Sequence, residues 1–142
     1  SEMLRSLVGS EMCIRDSYEI LSDLVKIENV LFIVKSNGAV SEIRSNMLNI
    51  RQKEKWINIG ENDGPCHMHV NSELIKKAEF VKEQKPERIS FSVRFYDEND
   101  ERVLAAFITK MYDDEMNIIP ERLKSYEELF EKYGSKDVIS FT

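Results

Sequence analysis

The only two histidines in the chain stand one residue apart, in the stretch GPCHMHV, as His67 and His69. On a strand, residues i and i+2 share a face. The two imidazoles then project side by side, about 7 Å apart at the backbone, while Cys66, Met68 and Val70 face the other way. Three chemistries fit such a pair. It can be a polar pair on a solvated or hydrogen-bonded sheet face. It can supply two ligands of a divalent-metal site; zinc asks for three or four donors, and Glu61, Asp63 and Glu79 could complete the set, although no spacing selects among them. Or one neutral histidine can serve as the axial ligand of a haem. Same-face neighbours cannot sit on opposite sides of one iron, so the other histidine would be left to contact a propionate.

Other chemistry is poorly represented. The chain has no G-x-S-x-G, no P-loop and no G-x-G-x-x-G, and Cys66 faces away from the histidines on a regular strand. The carboxylates cluster in DEND, DDE and EE, which read as turns and solvated helix faces. Catalysis by this chain alone is not expected. Tyr96 and Tyr112 lie on the two strands joined by the 97–100 turn and could line a cavity, although cross-strand packing is the commoner role of such tyrosines. Met47, Met111 and Met116 read as filler rather than iron ligands.

The elements that must hold the histidines follow from periodicity. SYEILSDLVKIENV spaces Ile20, Leu21, Leu24, Val25 and Ile27 as an amphipathic helix entered from Ser17. Val30–Lys35 and Val40–Arg44 form a hairpin around Asn37-Gly38, a favourable tight-turn pair. Trp56, Ile57 and Ile59 predict a strand ending at Gly60, then a turn, the CHMHV strand, a helical turn capped by Asn71 or Ser72, and a strand over AEFV. RISFSVRFY alternates with strict period two, placing Ile89, Phe91, Val93 and Phe95 on one face. DEND turns the chain, with Asn99 suited to a left-handed backbone. RVLAAFITKMY is apolar on both faces, as a central covered strand is. Pro120 suits the first turn of a last helix and Gly134 its stop, and Leu123, Tyr126, Leu129, Phe130 and Tyr133 make the buried stripe. The final SKDVISFT either adds a strand or stays loose. The expected architecture is α+β: an antiparallel sheet flanked by helices, with an amphipathic helix near the C-terminus.

The 142 residues suit one domain. No apolar run approaches the roughly 18 residues of a membrane span, and no secretory signal opens the chain, so a cytoplasmic location is the expectation. A net charge of −6, with lysines scattered among glutamates, argues against a nucleic-acid footprint. Two cysteines make no disulfide framework; both are expected reduced, with no cysteine-built zinc site. The opening is unusual. Residues 7–16, LVGSEMCIRD, can be written as CTC GTG GGC TCG GAG ATG TGT ATA AGA GAC, which resembles the end of a transposase-based sequencing adapter read in frame, and the resemblance extends over residues 6–17. Residues 1–17 are therefore expected to be a non-native leader, and 18–142 the single domain.

Taken together, GPCHMHVNSELIKKAEFV, SFSVRFYDENDERV and NIIPERLKSYEELF resemble the ChuX/HutX type of haem-utilisation protein, related to the HemS-type haem carriers. That family shows a glycine-led H-x-H-like stretch, a strand of A/I-x-x-V type, an S-x-x-F-F/Y-D strand and an L-L-P-E lead into a final helix. These are similar to His67–His69, Ala78–Val81, Ser92–Asp97 and Ile118–Glu121, and the likeness runs from Glu19 to Tyr133. The resemblance implies an antiparallel sheet packed by helices, a homodimer, and cytoplasmic haem binding or transfer without catalysis. It makes His69 the first haem-ligand candidate and His67 the second. Met111, Tyr112 and Asp113 stand where the family often carries a basic G-R-D, which removes an arginine that could meet a propionate. Tyr112 and Lys110 are the remaining candidates there, Lys110 sitting a residue early and pointing to the other face. Two alternatives to haem stay open: a divalent metal held by His67 and His69, or a non-catalytic dimeric interaction module.

Overall fold

The computed structural model describes residues 16–44, 46, 48–61 and 66–141. Most of the predicted leader, Cys13 included, lies outside the described residues, as do Met47 and Asp63. The first helix, α1, spans Ser17–Val25. Its cap is Asp16, not Ser17: the Asp16 carboxylate accepts from the Glu19 backbone N–H at 3.1 Å, and Ser17 is buried inside the first turn. Aspartate and serine cap about equally well, so burial decides between the neighbours. Ile20, Leu21 and Leu24 face the core.

Six strands build the larger sheet. β1 (Val30–Lys35) and β2 (Val40–Arg44) are the first hairpin. Its four-residue turn is closed by Ser36 N–H donating to Ala39 C=O at 2.9 Å, with neither Asn37 nor Gly38 at positive φ. β3 (Asn49–Lys53), β4 (Trp56–Gly60) and β5 (His67–Asn71) then form a separate antiparallel sheet of three. A 3-10 turn over Ser72–Leu74, capped by the Asn71 side chain, leads back. β6 (Lys77–Gln84), β7 (Ile89–Tyr96) and β8 (Arg102–Ile108) rejoin the larger sheet. Helix α2 spans Pro120–Lys132 with Pro120 in its first turn, and β9 is Val138–Ser140. The strand order is β9-β6-β7-β8-β1-β2. β8 is central, as its two apolar faces require, but it ends at Ile108. The 97–100 turn takes its left-handed residue at Asp100 (φ 61°), not Asn99. The tail adds a strand, β9 pairing with β6 through Val138↔Glu79.

One hydrophobic cluster joins the elements. Phe32, Phe80, Phe91, Val93 and Phe95 of the larger sheet, Ile57, Ile59 and Val70 of the smaller, and stripes from both helices belong to it. The helices are also tied to each other. Asp23 of α1 accepts from Lys132 Nζ at 2.7 Å and Tyr133 Oη at 2.6 Å. Burial opposes the Asp23 charge, but these two donors, with the positive charges of Lys132 and Lys26, outweigh it and hold the carboxyl below its usual 3.8. A depressed folded-state pKa stabilises above the unfolded value and stops doing so as pH falls through the folded one. Asp23→Asn is therefore expected to cost about 1 kcal/mol at pH 7, with a gap from wild type that closes as pH drops below 3.8. Urea unfolding at both ends of that window measures it; a gap that persists in acid would remove Asp23 from this role.

Candidate functional site

The smaller sheet positions the histidines. Its register pairs Trp56↔Asn71, Asn58↔His69 and Gly60↔His67 across β4 and β5, and Arg51↔Asn58 and Lys53↔Trp56 across β3 and β4. Alternation then assigns the faces. Ile57, Ile59 and Val70 turn inward and are buried. Arg51, Lys53, Trp56, Asn58, His67 and His69 share the outward face, with Asn49, Gly60 and Asn71 completing it. None of these nine residues is acidic, in a chain of net charge −6.

Both imidazoles are exposed, and their ring centroids are 5.4 Å apart in an edge-on arrangement. His69 Nδ1 is bonded to Asn58 Oδ1. An amide oxygen only accepts, so Nδ1 carries a proton and Nε2 is the nitrogen left without this bond. A hydrogen bond of this kind fixes tautomer and ring direction in metal-ligating histidines. Trp56 is 42% exposed and offers an indole on the same face. Gly60 is required by close approach: an added Cβ would stand 2.3 Å from His67 Cβ and 2.8 Å from the Cys66 carbonyl oxygen.

No group of three histidine, cysteine or carboxylate residues is placed to hold a metal among the described residues. Glu79 belongs to the other sheet, on β6. Cys66 is a free, half-buried thiol.

Lys110 and Tyr112 stand elsewhere. The larger sheet places both on a cleft of about 350 Å³ where β8 ends, beside Arg44, Arg88 and Ser90, and no residue of the smaller sheet lines it. The four candidate residues thus fall into two places. Lys110 was expected to point away from Tyr112. It adopts φ 57° just past the end of β8, which breaks strand alternation and lets both border one cavity. Tyr112 Oη donates to Ile89 C=O at 2.8 Å and accepts from Ile89 N–H at 2.9 Å. It is therefore held at the start of β7, whereas Tyr96 ends that strand, and the two tyrosines do not line one cavity. Asn58, Trp56, Arg44 and Arg88 did not stand out in the sequence. The signal for Asn58 was its register opposite His69, readable only once the pairing of β4 with β5 is placed.

A protein-family model matches residues 18–134. No curated protein matches the sequence. Among solved structures, ChuX is similar with a TM-score of 0.69 at 14% identity, over 80% of this chain and 69% of that one. A protein from Agrobacterium tumefaciens gives 0.67 at 22% identity, over 80% of this chain and 64% of its own. Holo-PhuS, a haem-binding protein from Pseudomonas aeruginosa, gives 0.62 at 16% identity, over 87% of this chain but 35% of that one. This chain thus spans about a third of the length of PhuS. At these identities the likeness establishes the fold: a mostly antiparallel β structure with two helices, of the kind ChuX has.

Proposed function

The chain belongs to the ChuX/HemS-related family, and from that premise we propose that it binds haem, with His69 as the iron ligand. The observation that carries this reading is the bond between His69 Nδ1 and Asn58 Oδ1, which leaves Nε2 of an exposed ring as the nitrogen free to meet a ligand. The rest of the face suits a flat, anionic ligand. Trp56 gives an aromatic surface, Arg51 and Lys53 give positive charge for carboxylates, and no acid stands among them. When bound, haem supplies an iron with a coordination position for imidazole. His69 would hold it, Asn58 would orient His69, and His67 would stand beside His69 on the same face. In this reading the chain is a cytoplasmic, homodimeric haem carrier without catalysis of its own. The alternative, a divalent ion on His67 and His69, has two protein donors among the described residues where zinc asks for at least three.

Haemin titration of the chain followed by visible absorption tests the reading. A saturable Soret shift is expected, lost in His69→Ala and weakened about tenfold in Asn58→Ala, as loss of an orienting partner does. A shift unchanged by His69→Ala would move the ligand off this face. No saturable shift, together with saturable zinc binding, would replace haem by the metal alternative.

A further inference from the structure

We infer that the cleft at the end of β8 is a second binding site, for an organic anion with a flat apolar body, and that it operates independently of the histidine face. Three cations border it: Arg44 from the end of β2, Arg88 just before β7, and Lys110 just after β8. Among the described residues no carboxylate lines it, although acidic residues outnumber basic ones by 26 to 20 in the chain. All three cations are exposed, and none has a side-chain ion pair among the described residues. Some cations elsewhere do have an acidic partner: Arg94 with Glu83 at 2.8 Å, Lys77 with Asp100, and Lys132 with Asp23 at 2.7 Å. Like charges gathered without a counter-charge repel one another, and an anion relieves that repulsion.

Between the cations the lining includes the half-buried Phe107 and the edges of two core residues, Phe91 and Met111, each 3% exposed. Beneath them Ser90 Oγ is buried without a hydrogen-bond partner, a polar group the fold itself has not used. The volume is at the small end of the range for ligand pockets. Apolar walls with a cationic rim select a compact aromatic carboxylate over a bare inorganic ion, because the ring fills the dry part while the carboxylate meets Arg88 and Lys110. The Tyr112–Ile89 bonds hold the base of the cleft in place.

The probe is 2-naphthoate, followed by its fluorescence, with 2-naphthamide as the neutral counterpart. Saturable binding of the carboxylate and not the amide is expected. The double variant Arg88→Gln/Lys110→Gln should weaken it by at least about tenfold, since two charge-assisted contacts are lost. Both side chains are exposed, and an unchanged thermal midpoint will show that the variant folds. His69→Ala should leave naphthoate binding intact, and the double variant should leave haemin binding intact, so this site and the histidine site fail separately. Equal binding of amide and carboxylate, naphthoate binding insensitive to the double variant, or its loss in His69→Ala would each overturn the assignment.

Discussion

Gly60→Ala is expected to destabilise the protein by roughly 2–3 kcal/mol, at the upper end of the usual overpacking cost, and to abolish haemin binding with it. The added methyl has no room. It would stand 2.3 Å from His67 Cβ, 2.7 Å from His67 Cα and 2.8 Å from the Cys66 carbonyl oxygen. Two of these three atoms are backbone, so no side-chain rotation relieves the contact, and β5 must move away from β4. That movement acts first at Gly60↔His67 and then at Asn58↔His69, the next pair on the same face. The bond that aims His69 is lost along with the stability of the small sheet. Gly38→Ala is the control: nothing lies within 4 Å of the added atom and φ is not positive there. It should fall within about 0.5 kcal/mol of wild type, as surface substitutions do. Urea unfolding and haemin titration of both variants decide the matter. If Gly60→Ala matches Gly38→Ala in stability and still binds haemin, the strand pairing at Gly60 is not what positions the histidines.

The same small sheet shows where the sequence was readable and where it was not. β5 was legible because its alternation is clean, and with it came the shared face of His67 and His69. β3 was missed because NIRQK has a single apolar residue and sits at the edge of a three-stranded sheet with most of its side chains in solvent; periodicity records burial, and there is little of it here. Missing β3 hid the Lys53–Trp56 hairpin, and with it the outward cations Arg51 and Lys53. The β7–β8 hairpin and α2 were legible for the opposite reason: Phe91, Val93 and Phe95 of β7 and Tyr126 and Leu129 of α2 are buried at the expected spacings, and Pro120 and Gly134 mark the helix ends. At the caps and turns, near-equivalent polar neighbours compete. Asp16 was preferred over Ser17 and Asp100 over Asn99, differences too small for composition to resolve. The cleft was illegible as a unit. Arg44 and Arg88 lie far apart in sequence, and only the strand order β2-β1-β8-β7 brings the two chain segments to one end of the sheet.

Tyr126→Ala is expected to cost about 3–5 kcal/mol, the range for removing a large buried aromatic, and Tyr126→Phe about 1 kcal/mol. The difference between the two separates packing from hydrogen bonding. Tyr126 of α2 is 2% exposed. Its ring stands edge-on to Phe80 at 5.8 Å and to Phe91 at 5.3 Å, so it locks the helix across β6 and β7. Its hydroxyl donates to Ser92 C=O at 2.9 Å and approaches Val81 C=O at 3.4 Å. Burial is the main cause that pushes its ionisation well above tyrosine's usual 10; the nearby Asp137 charge adds to this, while the Val81 contact and Arg94 oppose it. The fold therefore favours the neutral phenol. A raised folded-state pKa contributes stability that is complete below the unfolded value and is lost as pH rises above it. Wild type should thus lose stability on going from about pH 8 to about pH 11, and Tyr126→Phe, which has no phenol to ionise there, should lose measurably less. Urea unfolding at the two pH values reads this directly. An alkaline loss of the same size in Tyr126→Phe would mean that another group sets the limit, and that the Tyr126 hydroxyl contributes through its hydrogen bonds alone.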